Sequence, residues 1–315
     1  MEEKDLGEAA LALVLLLCAA FPAAAADKIP WIRDEARATA DAGERRGPVM
    51  ILFTSTNCGG RAVAGDAARA AAGGGVVGVK QDFQDRCELL EEDVLSRPDV
   101  LLAVARFVPL LSDEGLLPGA KIDPQGRSLN RRYQVGTIPT VLFADPWGNE
   151  IIRLVGRIPK DAFLRVANAI PADFAPIEKA GRLLRDEAQN ASALVANAAF
   201  YQERGLLPVS ERLYEQALGT SALQADAATR RQVVIARGLN LMRMGKPRDA
   251  ARLFEKTLAK APDGPASDAL LFGWLTAESQ DGRAKQAREI YGRLAQRFPD
   301  SPYAARAKQN LEAAP

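Results

Sequence analysis

The sequence predicts two folded units in series, an α/β domain followed by an all-α domain of repeated helix pairs. Three observations carry that prediction. An apolar run, Val49-Met50-Ile51-Leu52-Phe53, leads through Thr54-Ser55-Thr56-Asn57 to Cys58-Gly59-Gly60-Arg61, the pattern of a buried strand that presents a thiol at a turn. A second apolar run, Thr140-Val141-Leu142-Phe143-Ala144, comes after Pro139 and leads into Asp145-Pro146-Trp147-Gly148-Asn149, a turn between two strands. Beyond residue 177 the composition shifts to alanine, leucine and arginine at helical spacing, and a pattern centred on glycine recurs.

The chain opens with an apolar stretch at 9–21, then Pro22 and the small residues Ala23 to Ala26. It is short for a membrane span and is expected to be a secretory signal peptide over 1–26, cleaved after Ala26. The acidic start, Glu2-Glu3-Lys4-Asp5, departs from the positive leader such peptides carry, so an uncleaved membrane anchor is the alternative. Cys18 comes after Leu17, which is not the small residue a lipoprotein signal places there. The expected location is the periplasm or the exterior, where two cysteines, Cys58 and Cys87, remain and can pair.

Charge and composition exclude several function classes. Lysine plus arginine (41) balances aspartate plus glutamate (40), so no global field attracts nucleic acid. The absence of histidine removes Ser-His and Cys-His pairs and most zinc sites. No phosphate-cradling glycine loop is present, and no metal or organic cofactor is expected.

The first domain is expected over 27–172. Trp31 opens a helical pattern through Ala36, Ala38, Ala40 and Ala42 that Gly47-Pro48 ends. After the strand to Cys58, residues 59–72 are helical in composition, Gly73-Gly74-Gly75 interrupts, and 76–79 has the pattern of a strand. A helix runs from Cys87 with Leu89, Leu90, Val94 and Leu95 on its apolar face, and Ser96-Arg97-Pro98 starts another with proline in its first turn. Phe107-Val108-Pro109-Leu110-Leu111 is a strand whose proline argues for an edge or a bulge. A helix then ends near Tyr133, the hairpin comes next, and 161–169 closes the unit as a helix. At the end of the first strand, a helix N-terminus and Arg61 would favour the Cys58 thiolate. A small buried cysteine without chemistry is the alternative.

Tyr133-x-Val135-x-Thr137-Ile138-Pro139-Thr140, an apolar strand and Asp145-x-x-Gly148 resemble the second half of a thioredoxin-like domain, and the resemblance covers most of 30–170. In that family this proline is cis and faces the active-site cysteines. The resemblance implies that Thr137, Ile138 and Pro139 hold a substrate chain. The family's Cys-x-x-Cys is altered: Arg61 stands in place of the second cysteine, Asn57 in place of tryptophan, and Leu52 in place of the buried aspartate that assists proton transfer. The run from Cys87 to Val100 and then Phe107-Val108-Pro109 is similar to the stretch beginning at the second active-site cysteine in one thioredoxin-like subgroup. On that reading residues 61–86 are inserted in the motif, Cys58 attacks and Cys87 resolves. On the competing reading Cys87 begins an inserted helix and the site is monothiol.

In the second domain, expected over 177–315, Gly205 is followed by Ser210 and Tyr214, Gly245 by Ala250 and Phe254, and Gly282 by Ala287 and Tyr291. Small residues let paired helices approach, and the aromatic fills the gap between pairs. This resembles tetratricopeptide repeats over 190–300. The glycines lie 40 and 37 residues apart, longer than the family's period of about 34, and Glu278 departs where an aromatic or leucine is expected. Residues 304–311 have the pattern of a capping helix. The resemblances together imply thiol–disulfide exchange on a protein or peptide partner recruited by the repeats. A redox-inactive binding scaffold is the alternative.

Overall fold

The computed structural model describes residues 28–55, 86–87, 89–113 and 123–313. The expected signal peptide, Cys58 with Asn57 and Arg61, the helix at 59–72 and the strand at 76–79 lie outside the described residues.

The α/β region runs α1 (Glu35–Arg45), β1 (Val49–Thr54), a π-helical segment (Leu89–Leu95), α2 (Pro98–Val104), β2 (Val108–Asp113), α3 (Pro124–Tyr133), β3 (Thr140–Ala144), β4 (Glu150–Val155) and α4 (Lys160–Ala169). The strands form one sheet in the order β2-β1-β3-β4. β1 pairs parallel with β2 and antiparallel with β3, and β3 pairs antiparallel with β4. β1 is central and buried at every position, which is why it is apolar without alternation. Its side chains still sort by the two-residue period. Val49, Ile51 and Phe53 pack in one layer with Ala38 and Ala42 of α1 and Leu129 and Tyr133 of α3. Met50 and Leu52 pack in the other with Leu90, Val94, Val104 and Phe163.

Several expectations are adjusted. α1 begins at Glu35, where Asp34 caps it by accepting from the Arg37 N–H at 2.7 Å; Trp31 precedes it, and only Ala38 and Ala42 of its alanines are buried. The segment after Cys87 winds as a π-helix from Leu89 to Leu95. Its five-residue repeat aligns Leu90 with Leu95 and turns Leu89 outward, 39% exposed. Pro98 occupies the first turn of α2 as expected. Pro109 fits because β2 is an edge strand. The Pro109 carbonyl accepts from the Ile32 N–H at 2.9 Å and the Leu111 N–H donates back to Ile32 at 2.8 Å, so the proline nitrogen faces away from β1.

The remaining helices are α5 (Glu178–Asp186), α6 (Ala191–Glu203), α7 (Leu207–Gly219), α8 (Ser221–Ala225), α9 (Ala227–Arg243), α10 (Pro247–Lys260), α11 (Ser267–Gln280), α12 (Ala284–Arg297) and α13 (Pro302–Ala313). Gly205, Gly245 and Gly282 sit in the turns of the pairs α6–α7, α9–α10 and α11–α12 at φ of 76°, 72° and 79°, a left-handed backbone that glycine adopts without a Cβ clash. Ser210, Ala250 and Ala287, five residues on, are fully buried. Tyr214 and Phe254 are buried as expected; Tyr291, in the last pair, is only half-buried. The short helix α8 lengthens the first period. The second is lengthened by the turn between α10 and α11, which the buried Arg231 guanidinium holds by donating to the carbonyls of Ala261 and Pro265 and to Ser267 Oγ. Glu278 is buried because Trp274 Nε1 donates to it at 2.9 Å and Arg283 pairs with it at 2.6 Å. α13 covers the open end with Ala304 and Ala307 inward.

The Phe254 ring lies between Gly238 of α9 and Gly273 of α11, and a Cβ at either glycine would collide with it. Removing the ring and crowding it should both be costly. Phe254→Ala should lower unfolding free energy by roughly 3–5 kcal/mol in urea titration. Gly238→Ala should also destabilise, although alanine is the better helix former by about 1 kcal/mol. A Gly238→Ala protein as stable as the parent would show that the ring is not held between these helices.

Candidate functional site

β1 ends at Thr54, four residues before Cys58 in the sequence. Thr54 and Ser55 are buried there, and they border a cleft of about 700 Å³ that also includes Trp31, Leu52, Glu91 and Asp113. Burial, aided by the neighbouring Glu92 charge, pushes the Glu91 carboxyl up. Cys87 is the single cysteine among the described residues. It is 1% exposed, belongs to the core layer that holds Phe53 and Ile138, and is disulfide-bonded, with its partner sulfur not among the described residues.

The residues expected to hold a substrate chain lie at the end of the sheet where β1 finishes. The Ile138–Pro139 bond is cis. Ile138 and Pro139 are buried and Thr137 is half-buried. Thr140 Oγ1 donates to the Thr137 carbonyl at 2.6 Å, and the Gly156 N–H donates to the Pro139 carbonyl at 2.9 Å. A Cβ on Gly156 would lie 3.8 Å from Arg86 Nη1, which places the residue preceding Cys87 beside the Pro139 segment. Leu52 is packed in the apolar layer, so its position carries no proton-transfer group. Among the described residues, no group of three acidic or cysteine side chains is arranged to hold a metal ion.

The opposite end of the sheet holds features that sequence reasoning did not pick out. Asp145, at the end of β3, is fully buried and accepts from the N–H groups of Trp147 and Asn149, each at 2.9 Å, and from Asn149 Nδ2 at 2.8 Å. Burial pushes its carboxyl up to about 7, against the hydrogen bonds from Asn149 and Trp147 that pull it down. The Trp147 indole lies so close on Gly181 of α5 that a Cβ there would overlap it, and Asn149 Nδ2 also donates to the Gly181 carbonyl at 2.9 Å. An aspartate four residues before asparagine in a Pro-Trp-Gly turn was the available signal, and it marks an Asx-type turn without showing what packs on it.

Between this hairpin and the first helices lies a cleft of about 650 Å³. Four arginines line it, Arg132, Arg153, Arg185 and Arg212, against one carboxylate, Glu150. Arg153 Nε donates to Glu150 Oε1 at 2.7 Å and its Nη2 pairs with Oε2. Arg212 Nη2 donates to the backbone carbonyls of Glu150 at 3.0 Å and Ile151 at 2.9 Å.

The Asp145 value sets a pH dependence. Its native value, about 7, lies above the ordinary 3.8, so between those values the folded chain holds a proton that the unfolded chain has lost. Its contribution to stability therefore falls as pH rises from about 4 to about 7 and is flat above. The stability difference between the parent and Asp145→Asn should change across that window by at most about 1.4 kcal/mol per pH unit. Urea titrations at several pH values check this, and a difference that stays constant between about pH 5 and 8 would contradict it.

A family model for a thioredoxin-like domain matches residues 71–171, a span that includes Cys87 and Pro139 and begins after Cys58. A tetratricopeptide repeat model matches residues 241–311. No curated protein matches the chain. With the mixed four-stranded sheet and the glycine-turned helix pairs behind it, the chain is a thioredoxin-like domain followed by tetratricopeptide-type helical repeats.

Proposed function

We propose that this protein carries out thiol–disulfide exchange on a protein partner recruited by its helical repeats, after export and removal of residues 1–26. The observation that carries the reading is the position of Cys87: buried, disulfide-bonded, and preceded by a residue that meets Gly156 where it bonds to Pro139. On this reading its partner is Cys58, four residues after the end of the central strand in the sequence.

The chemistry balances as two displacements. The Cys58 thiolate attacks one sulfur of a partner disulfide and forms a mixed disulfide, and the other partner sulfur leaves as thiolate. The Cys87 thiolate then attacks Cys58 Sγ, releasing the second partner thiolate and leaving a Cys58–Cys87 disulfide. The partner gains two electrons and the cysteine pair loses them; the reverse sequence oxidises a partner dithiol. With Leu52 in the apolar layer, the position of the family's buried aspartate supplies no proton acceptor.

That same apolar Leu52 favours the second reading, a redox-inactive scaffold, and single variants separate the two. Pre-reduced protein should reduce a fluorescent disulfide peptide, and Cys58→Ser should abolish the reaction. Cys87→Ser should accumulate mixed disulfides that dithiothreitol releases on non-reducing gels, because attack continues while resolution fails. Inactivity of the parent itself would leave the scaffold, and unchanged peptide reduction in Cys58→Ser would remove Cys58 as the attacking thiol. Export is tested separately: mature protein recovered from the periplasm should begin at Asp27 by mass spectrometry.

A further inference from the structure

We infer that the arginine-lined cleft between the β3–β4 hairpin and the first helices binds an acidic polypeptide segment. The inference rests on the partner-recruiting half of the proposed function and not on its thiol chemistry.

Charge is the first ground. The single carboxylate in the cleft, Glu150, is already taken by Arg153. Arg132 pairs outside the cleft, with Glu35 of α1. Arg212 spends Nη2 on two backbone carbonyls and makes no ion pair among the described residues. Arg185, exposed at the end of α5, has neither an ion pair nor a hydrogen bond among the described residues. Two guanidiniums thus face one cleft without a counter-charge. A guanidinium fork matches a carboxylate in a two-bond geometry.

The rest of the lining selects a polypeptide over a small anion. Gln134, Gln189 and Gln216 border the cleft, and their side-chain amides make no hydrogen bond among the described residues. An amide both donates and accepts, which suits a peptide backbone with its alternating N–H and C=O groups. Leu184, Leu194 and Leu213 lie beneath, where aliphatic stems of glutamate side chains can rest. A phosphate or sulfate ion would use the arginines and leave both the amides and the leucines without a role.

The test is fluorescence anisotropy of a labelled oligoglutamate peptide with the full chain, Cys58 and Cys87 intact. The parent should bind it saturably, more weakly as sodium chloride is added, and should not bind a glycine–serine peptide of equal length. Arg185→Glu should weaken binding at least about tenfold. Arg182→Glu serves as the control, since Arg182 lies on the same helix but pairs with Glu178 outside the cleft, and it should bind like the parent. Arg212→Gln should weaken binding as well, with folding followed by circular dichroism. The proposal is overturned if the parent does not bind oligoglutamate, if Arg185→Glu binds as the parent does, or if Arg182→Glu loses as much. Displacement by inorganic phosphate, where chloride of equal ionic strength has no effect, would also overturn it, because the ligand would then be a small anion. Disulfide-peptide reduction measured on the same preparations keeps failure of this site distinct from failure of the thiol chemistry.

Discussion

The contact of Trp147 with Gly181 fixes the relation between the two halves of the molecule. A glycine in the middle of α5 lets the helix backbone come down onto the indole, and no other residue would fit there without displacing the ring. From that contact an aromatic series runs on: Trp147 meets Phe174 edge-on at 6.5 Å, Phe174 meets Phe200 at 5.7 Å, and Phe200 meets Tyr201 at 5.3 Å. Phe174 falls between the bounds expected for the two domains, 27–172 and 177–315, yet it is completely buried. One apolar layer therefore extends from Met50 and Leu52 of the central strand to Leu213 and Val233 of the helices. The repeats are mounted on the sheet by a shared core, and a hinge between them would have to expose it.

Polar groups finish this junction. Asp145 gathers three N–H donors of its own turn and so presents Trp147 toward α5. Arg212 reaches from α7 to two carbonyls at the start of β4, beside the register shift at Phe143 and Ala144. A carboxylate this deeply buried is costly unless hydrogen-bonded, and its raised value measures how much of that cost remains. The Asp145 charge and burial also push the Tyr201 phenol well up, with burial the larger cause.

The parts of the fold legible in the sequence are those that local chemistry determines. The continuous apolar run of β1, the proline before β3, the hairpin turn and the three turn glycines all specify their structures within a few residues, and each is found where the pattern places it. Glu278 was legible only as an anomaly, because its partners are contributed by Trp274 on the same helix and Arg283 beyond the next turn. Arg231 resembled any surface arginine until three groups of the turn between α10 and α11 closed around it. The π-helical winding after Cys87 depends on Leu90, Val94 and Leu95 reaching the sheet together, a tertiary demand that an α-helical periodicity count does not register. Of the site, the proline segment and Cys87 were legible as a pair of motifs; their common location needed Arg86 beside Gly156. The arginine cleft was invisible, since its lining residues come from parts of the chain that are far apart in sequence, 132–153 and 184–216.

The register of the sheet relates the two proposed sites. Val49 stands opposite Ala144 at the junction end, while Phe53 stands opposite Thr140 next to Pro139. A strand of six residues such as β1 is roughly 20 Å long at about 3.3 Å per residue. An extended peptide held in the arginine cleft thus needs only about six further residues to pass along the domain to the Pro139 end. A partner of this kind would offer an acidic stretch and a cysteine separated by a short connection. Anchoring at the cleft would turn the encounter between the two thiols into an intramolecular event, with an effective concentration in the millimolar range for a short flexible connection. The shared core gives that arrangement its physical basis: a cleft carried on a loosely tethered domain would hold no fixed distance to the cysteine, whereas this one is locked to the far end of the same sheet.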